Sequence, residues 1–207
     1  MVGRKIIVGV TGGIAAYKTA MVVSTLVQRG AEVRVVMTES ATRFVTPLTF
    51  QTLTRQMVYT DMWQPAEKFQ SAHISLADWG EACLVAPATA NLIGKLAGGL
   101  ADDLLSTTLL AIDLPVIIAP AMNTRMWNKL VVQNNVALLV DLGYRFVGPE
   151  AGRLACGTVG EGRMSEPEEL VAAVENLLED ADAGKCLPAG RAPSDKPPPL
   201  SKRGRLA

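Results

Sequence analysis

The chain has 207 residues, and its 20 lysines and arginines balance its 20 aspartates and glutamates, so the formal net charge is zero. The apolar fraction of 49% excludes disorder of the whole chain, which requires low hydrophobicity and high net charge. Zero net charge argues against a nucleic-acid partner, and the apolar runs are too short to cross a membrane. The length and the apolar fraction together predict one globular domain.

Strands and helices alternate along the chain. In chain order, the pattern predicts a strand at 5–10, a helix at 14–29, a strand at 32–37, a helix at 47–54, a strand at 82–86, helices at 91–97 and 102–112, a strand at 115–119, a helix at 128–142 and a strand at 144–147. The sequence Ser165-Glu166-Pro167-Glu168 matches a capping box and predicts a last helix to about residue 179. Apolar strands alternating with helices predict an α/β fold, with helices on both faces of a parallel sheet.

Basic residues and prolines are concentrated after the last helix. Residues 185–207 contain six basic residues, one acidic residue and five of the twelve prolines. This composition is typical of disorder. We therefore divide the chain into a folded domain at 1–182 and a disordered basic tail at 183–207, with a docking arm as the alternative for the tail.

The three cysteines bear on compartment and metal binding. Cys83, Cys156 and Cys186 are odd in number and widely spaced, which excludes a disulfide scaffold and a CxxC metal site. We expect a cytoplasmic protein with no bound metal.

Polar or glycine-containing segments follow the predicted strands. They lie at 11–13, 38–40, 87–91 and 120–123. Ligands of parallel α/β sheets bind beyond the carboxyl ends of the strands. The sequence therefore predicts that these four segments meet at one ligand site.

The first two segments favour a phosphate. Gly12 and Gly13 lie between a strand and a helix, where backbone N–H groups can face an anion, although they match neither the dinucleotide nor the phosphate-loop pattern. Dinucleotide folds usually place an acid at the end of the second strand to hold a ribose. Here Thr38 and Ser40 offer hydroxyls instead, which favours a mononucleotide such as FMN over NAD.

Two further side chains are candidates for chemistry. His73 is the only histidine, which excludes a site with several histidine ligands, and a lone histidine is more often structural or at the surface. Cys156 lies in a stretch, 152–164, with four glycines, which predicts a mobile loop. Its thiol is either a lid residue that meets substrate on closure or an incidental free cysteine.

Several segments together resemble the flavin-dependent cysteine decarboxylases over about residues 5–178. The resemblance rests on TGGIAAYK at 11–18, SAHI at 71–74, APATAN at 86–91 with Lys95 and ADDLL at 101–105, PAMNTRMW at 120–127, and the Cys156 loop that ends in GRM at 162–164. The segment at 120–127 matches the PxMNxxMW signature and is the most specific of them.

The resemblance implies a flavodoxin-like subunit that binds FMN near a subunit interface and assembles as trimers, or as dodecamers built from trimers. It implies FMN contacts at Gly12, Gly13, Thr38, Ser40, Pro87, Ala88, Thr89, Ala90 and Asn91. It makes His73 the catalytic histidine and Cys156 the cysteine of a substrate-clamping loop. It places the substrate carboxylate at Asn123, beside Ala121 and Met122. Thr158 departs from members with an acid after Cys-Gly, which leaves the contacts of that loop open.

The resemblance is nearest to the members that decarboxylate phosphopantothenoylcysteine in coenzyme A biosynthesis. It implies oxidation of the substrate thiol to a thioaldehyde, loss of CO2 and re-reduction of the ene-thiolate, with His73 as base or substrate orienter. It also implies that a separate protein ligates cysteine to phosphopantothenate. The alternatives are a peptidyl-cysteine decarboxylase of lantibiotic maturation, a flavin prenyltransferase and a non-enzymatic FMN-binding regulatory subunit. The 120–127 signature and the clamp loop argue against the flavin prenyltransferase.

Overall fold

A computed structural model describes residues 1–63, 71–153, 157, 159–185 and 188–190 of the chain. The strands of the described chain are β1 (Lys5–Val10), β2 (Glu32–Met37), β3 (Ala82–Ala88), β4 (Val116–Pro120), β5 (Arg145–Phe146), β6 (Glu150–Arg153) and β7 (Val159–Arg163). The helices are α1 (Ala16–Gln28), α2 (Pro47–Thr54), α3 (Ala72–Trp79), α4 (Ala90–Gly98), α5 (Leu104–Ala111), α6 (Thr124–Trp127), α7 (Leu130–Asp141) and α8 (Pro167–Asp182), with a short 3-10 helix at Glu39–Arg43.

Five strands form one parallel sheet in the order β2-β1-β3-β4-β5. The chain starts near the middle of the sheet, moves to one edge and then crosses to the other. The loops after β1 and β3 therefore lie side by side at the point where the strand order reverses, which is where such sheets bind ligands. The predicted parallel α/β fold of the flavodoxin-like type is confirmed.

Helices cover both faces of the sheet. On β1, Ile6 and Val8 point to one face, where they pack with residues of α1 and α8, such as Leu26 and Leu177. Ile7 points to the other face, where it packs with residues of α3, α4, α5 and α7. Both faces of these strands are buried, which explains why their sequences are apolar throughout rather than alternating.

The structure differs from the predicted elements in several places, and helix α6 at Thr124–Trp127 is one that was not predicted. Residues 72–79 form α3, although no helix was predicted around His73. The stretch 152–164, predicted as a mobile loop, contains the end of β6 and all of β7, which pair as an antiparallel hairpin. The last helix begins at Pro167 with Glu166 as its N-cap and without a side-chain cap, so the predicted capping box from Ser165 is wrong, while the proline in the first turn is confirmed.

The chain returns to the sheet after α8. Ala189 is buried, and its N–H donates to the Leu114 carbonyl at 3.0 Å, while the Gly190 N–H donates to the Leu142 carbonyl at 2.7 Å. This part of the predicted tail therefore packs on the domain, and residues 191–207 lie outside the described chain. Among the described helices, none is long and apolar enough to cross a membrane.

Candidate functional site

A cavity of about 1300 Å³ lies beyond the carboxyl ends of the central strands. It is lined by residues from all four polar segments that the sequence singled out, namely Gly12, Gly13, Thr38, Ser40, Thr89, Ala90, Asn91, Ala121, Met122 and Asn123. The predicted meeting of these segments at one place is therefore observed. The cavity exceeds the roughly 300–1,000 Å³ of typical small-molecule sites, so it has room for two ligands together.

The loop after β1 is fixed by one buried threonine. The Thr11 hydroxyl donates to the Pro87 carbonyl at 2.6 Å and accepts from the Thr89 N–H at 3.1 Å. These two bonds join the loop after β1 to the end of β3. Pro87 and Ala88 are themselves buried in β3 and do not line the cavity, so the structure places these two predicted contacts behind its wall.

Gly12 allows the loops after β1 and β2 to touch. A Cβ built on Gly12 would lie 2.4 Å from the Cβ of Ser40, closer than two carbon atoms can approach. A side chain at position 12 would therefore push these loops apart. Helix α1 follows directly, and its N-cap, Ala15, provides no side-chain hydrogen bond. The first-turn N–H groups of Ala16 and Lys18 donate to the Gly13 and Ala15 carbonyls at 3.0 Å, so it is the positive end of the helix dipole that favours an anion at this end of the cavity.

Two threonines cap the short helices that border the cavity. Thr38 Oγ1 accepts from the Ala41 N–H at 3.3 Å, at the start of the 3-10 helix. Thr89 Oγ1 accepts from the Leu92 N–H at 3.4 Å, at the start of α4. A hydroxyl that accepts a bond in a cap still carries its own proton, so each can donate to a ligand oxygen.

Asn123 is the N-cap of α6. Its Oδ1 accepts from the Arg125 N–H at 2.8 Å, which fixes the plane of the side-chain amide. The residue before it is held from the other side, because the Met122 N–H donates to the Gly162 carbonyl of β7 at 2.9 Å. The β6–β7 hairpin therefore packs directly on the segment that presents Asn123 to the cavity.

Ion pairs line two sides of the cavity. On α1, the Lys18 ammonium lies 2.9 Å from a Glu166 carboxylate oxygen, and its side chain is only 12% exposed. On α4, the Lys95 ammonium lies 2.6 Å from both Asp102 and Asp103. Sequence reasoning gave these lysines no role of their own. For Lys95, the sequence held a signal that it lies at the site. It comes one helical turn after Asn91 and so faces the same side of α4.

The charges of the Lys95 cluster are reinforced by their contacts. Burial alone would raise the pKa of Asp103, but hydrogen bonds from Lys95 and Ser106 outweigh it and hold that pKa below its ordinary value. Burial would likewise lower the pKa of Lys95, but its bonds to Asp102 and Asp103 hold that pKa above the ordinary value. Lys95 and Asp103 therefore both stay ionised around neutral pH.

A second charged cluster lies at the base of the hairpin. The Arg163 guanidinium lies 2.6 Å from Glu150 and 3.4 Å from Glu166. A contact with Glu169 and the bond from Arg163 hold the pKa of Glu150 below its ordinary value, and the same contact raises the pKa of Glu169. Glu150 therefore loses its proton at a lower pH than Glu169 does. This cluster joins the hairpin to the start of α8.

The remaining predicted residues are not in the described cavity. His73 lies in the first turn of α3, half-buried, with its Nε2 3.4 Å from the Ser71 hydroxyl, and no residue of α3 lines the cavity of its own chain. Cys156 and Thr158 lie outside the described residues. Among the described residues, no group of three histidine, cysteine, aspartate or glutamate side chains is arranged to hold a metal ion.

Comparison with known proteins finds relatives of this chain among flavoproteins and coenzyme A biosynthesis proteins. The profile of the Flavoprotein family matches residues 1–179. The coenzyme A biosynthesis bifunctional protein CoaBC of Bacillus subtilis is 54% identical over 172 residues, which cover 83% of this chain and 42% of that protein. The CoaBC protein of Vibrio cholerae is 49% identical over 178 residues, 86% of this chain and 45% of that protein. The chain spans less than half the length of these relatives.

Several solved structures are similar to this chain along most of its length. A PPC decarboxylase mutant complexed with pantothenoylaminoethenethiol has a TM-score of 0.77 and 34% identity, and the match covers 86% of this chain and 99% of that one. The FMN binding protein AtHal3 has a TM-score of 0.76 and 34% identity, over 86% and 97% of the two chains. The FMN-dependent cysteine decarboxylase SpaF has a TM-score of 0.74 and 31% identity, also over 86% and 97%.

Proposed function

The chain belongs to the flavoprotein family, and we propose that it is an FMN-dependent decarboxylase that converts 4'-phosphopantothenoylcysteine to 4'-phosphopantetheine in coenzyme A biosynthesis. The observation that carries this proposal is the meeting of the glycine loop, the hydroxyl segment after β2, the segment after β3 and Asn123 at one cavity. The bifunctional relatives and the PPC decarboxylase structure support the substrate class. A thiol substrate and a thiol product suit the reducing cytoplasm, where we place the reaction.

FMN fits the residues that line the cavity. Its phosphate would be held by Gly12 and Gly13 at the start of α1, with hydroxyls from Thr38 and Ser40, because the positive end of the helix dipole favours a dianion. The segment at 89–91 would contact the rest of the flavin. When bound, FMN supplies a two-electron acceptor for the substrate CH2–SH group and later a donor, so the whole reaction has no net redox change.

The chain's own residues would hold the substrate and move its protons. The Asn123 amide can donate a hydrogen bond to the α-carboxylate. Because the amide is neutral, it does not hold the carboxylate back as a cation would, and CO2 can leave. The His73 imidazole can take the thiol proton or orient the thiol. The Cys156 thiol can return a proton to carbon when the ene-thiolate is reduced, since a thiol with an ordinary pKa of about 8.5 is mostly protonated at pH 7.

The main test is product formation by the purified chain loaded with FMN. We expect CO2 release from 4'-phosphopantothenoylcysteine and a product with the mass of 4'-phosphopantetheine. Asn123→Ala should keep its flavin but lose about 10²- to 10³-fold in turnover, by analogy with other buried donors to a reacting group. Asn134→Ala, on the exposed side of α7, is the matched control and should be unchanged.

Three outcomes would speak against the proposal in different ways. A protein that binds no FMN would remove its premise, and one that binds FMN without releasing CO2 would point to the regulatory alternative. A product two hydrogens lighter than 4'-phosphopantetheine would point to a cycle that stops at the ene-thiol, as the lantibiotic alternative requires.

We also propose that a second copy of the chain completes the site. In support, no residue of α3 lines the cavity of its own chain, so His73 must come from elsewhere if it acts there. Apolar side chains at the cavity mouth are exposed in the single chain, including Ile14 at 57%, Tyr17 at 55% and Met126 at 47%, and a second copy would cover them. A closed homo-oligomer such as a trimer meets both requirements.

Mixing two inactive variants tests the shared site. His73→Asn keeps Asn123, and Asn123→Ala keeps His73. If each site takes one residue from each of two chains, random mixing in one oligomer should restore about a quarter of the wild-type sites. If both residues act within one chain, mixing should restore none. Each variant mixed with wild type controls for the efficiency of subunit exchange.

A further inference from the structure

We propose that Arg153 binds the phosphate of the substrate and thereby makes the enzyme prefer a phosphorylated substrate. This inference deepens the proposed function and rests on it. It starts from the pairing of charges around the cavity.

Among the described residues, four cationic side chains line the cavity, and three of them are already neutralised. Each of the three has a carboxylate in direct contact, which holds it in place and cancels most of its field. They are Lys18 with Glu166 at 2.9 Å, Lys95 with Asp103 at 2.6 Å, and Arg163 with Glu150 at 2.6 Å. These pairs are suited to hold the walls together rather than to bind a new anion.

Arg153 is the fourth cation and differs from the others. Within the described part of the chain, no carboxylate forms an ion pair with it. It is the last residue of β6, paired in register with Val159 on β7, and its side chain is exposed while lining the cavity. Arg153 thus offers a hydrated guanidinium at the rim. A planar guanidinium matches two phosphate oxygens at once, so it is suited to this anion.

The remaining anions of the reaction have other places. The start of α1 and the hydroxyls of Thr38 and Ser40 suit the FMN phosphate, and the neutral Asn123 amide suits the substrate carboxylate. The phosphate lies at the opposite end of the substrate from the reacting cysteine. When the cysteine end is inside the cavity, the phosphate must lie towards the solvent. An exposed arginine at the rim, on a hairpin that packs against the Asn123 segment, is the cation in that position.

The experiment compares two substrates and four forms of the full-length, FMN-loaded chain. The substrates are 4'-phosphopantothenoylcysteine and pantothenoylcysteine, which differ only in the phosphate. The forms are wild type, Arg153→Gln, Arg153→Lys and the control Arg55→Gln, an exposed arginine that does not line the cavity. For Arg153→Gln we expect kcat/KM for the phosphorylated substrate to fall about 10- to 100-fold, mostly through KM, as for the loss of a hydrogen bond to a charged group.

Selectivity separates phosphate binding from a structural role. Arg153→Gln should leave kcat/KM for pantothenoylcysteine and the FMN content within about twofold of wild type, and Arg153→Lys should recover part of the loss because it keeps the charge. An equal fall in kcat/KM for both substrates would mean that Arg153 contacts the carboxylate or another part that the substrates share. No fall for either substrate would mean that Arg153 does not contact the substrate. Both results overturn the inference while the decarboxylase assignment stands. If wild type releases no CO2 from either substrate, the proposed function fails and this inference fails with it.

Discussion

The Gly162 carbonyl accepts a 2.9 Å hydrogen bond from the Met122 N–H, and this bond joins the β6–β7 hairpin to the loop that presents Asn123. The contact is possible because residue 162 has no side chain. It has a φ of +141°, and a Cβ built on it would lie 2.2 Å from the Met122 carbonyl oxygen. Since that obstacle is backbone, a side chain at 162 must displace either the hairpin or the Asn123 loop.

Gly162→Ala should therefore disturb both stability and the site. We expect a loss of about 2–3 kcal/mol in the free energy of unfolding, the upper range for overpacking a tight contact. Gly99→Ala is the control for a positive φ without a steric contact, because Gly99 has a φ of +67° and open space around its Cβ position, and it should cost about 1 kcal/mol. Urea unfolding measures both. If the two variants lose the same amount, the contact with Met122 does not constrain the hairpin.

The Asp103–Lys95 pair predicts a pH dependence of stability. Because the pKa of Asp103 in the folded state lies below its ordinary value, its stabilisation is present above about pH 4 and is lost as the pH falls through the folded-state pKa. Asp103→Asn keeps an oxygen that can accept from the Ser106 N–H but removes the charge. At pH 7 it should cost about 1 kcal/mol in the free energy of unfolding.

The same difference should shrink as the pH is lowered towards 3, because wild-type Asp103 then also becomes neutral. Denaturant unfolding of wild type and Asp103→Asn at several pH values measures this directly. Asp141→Asn, at the exposed end of α7, should have little effect at pH 7. A difference between wild type and Asp103→Asn that stays constant from pH 7 to pH 3 would contradict the role given to the Asp103 charge.

The parts that sequence predicted best are those encoded in neighbouring residues. The run at Lys5–Val10, followed by Thr11, Gly12 and Gly13, identifies a buried strand and its ligand-facing loop without any distant contact. The same local logic located α2 at Pro47–Thr54 with its first-turn proline. Strands followed by polar residues therefore predicted both the sheet and the cavity at its carboxyl edge.

The parts that sequence missed depend on contacts far along the chain. Glycine has low strand propensity, so four glycines at 152–164 indicated a loop, whereas β7 is held by the bond between Gly162 and Met122, 40 positions apart. Helix α3 buries only Ala72 and Leu76, which is too weak a pattern to predict a helix. That His73 lies outside its own cavity follows from the packing of α3 on α5, which no local pattern encodes.

Truncation tests the role of the segment after α8. Removing all residues after Asp182 deletes the buried Ala189 and the backbone bonds of residues 189 and 190 to Leu114 and Leu142. We expect it to cost about 1–3 kcal/mol in the free energy of unfolding, from these two bonds, the bonds of the residue 183–185 N–H groups to the end of α8, and newly exposed apolar surface. Removing only residues 191–207 leaves these contacts intact and should cost less than about 0.5 kcal/mol. Equal stability of the two truncated chains would show that the contacts of 188–190 contribute nothing.

Cys83 should be chemically inert for as long as the domain is folded. It lies in β3 with 1% of its surface exposed, and burial raises the pKa of its thiol to about 12. Since alkylating agents react with the thiolate, both its access and its reactive form are suppressed. We expect iodoacetamide at pH 8 to leave Cys83 unmodified in the native chain and to modify it fully in about 6 M guanidinium, which unfolds a domain of about this size. Peptide mass mapping measures the modification. The Cys83→Ala chain controls the assignment of the peptide. Modification of native Cys83 at the rate of a free thiol would mean that the sheet opens at β3 during the experiment, and the packing described for the centre of the fold would then be wrong.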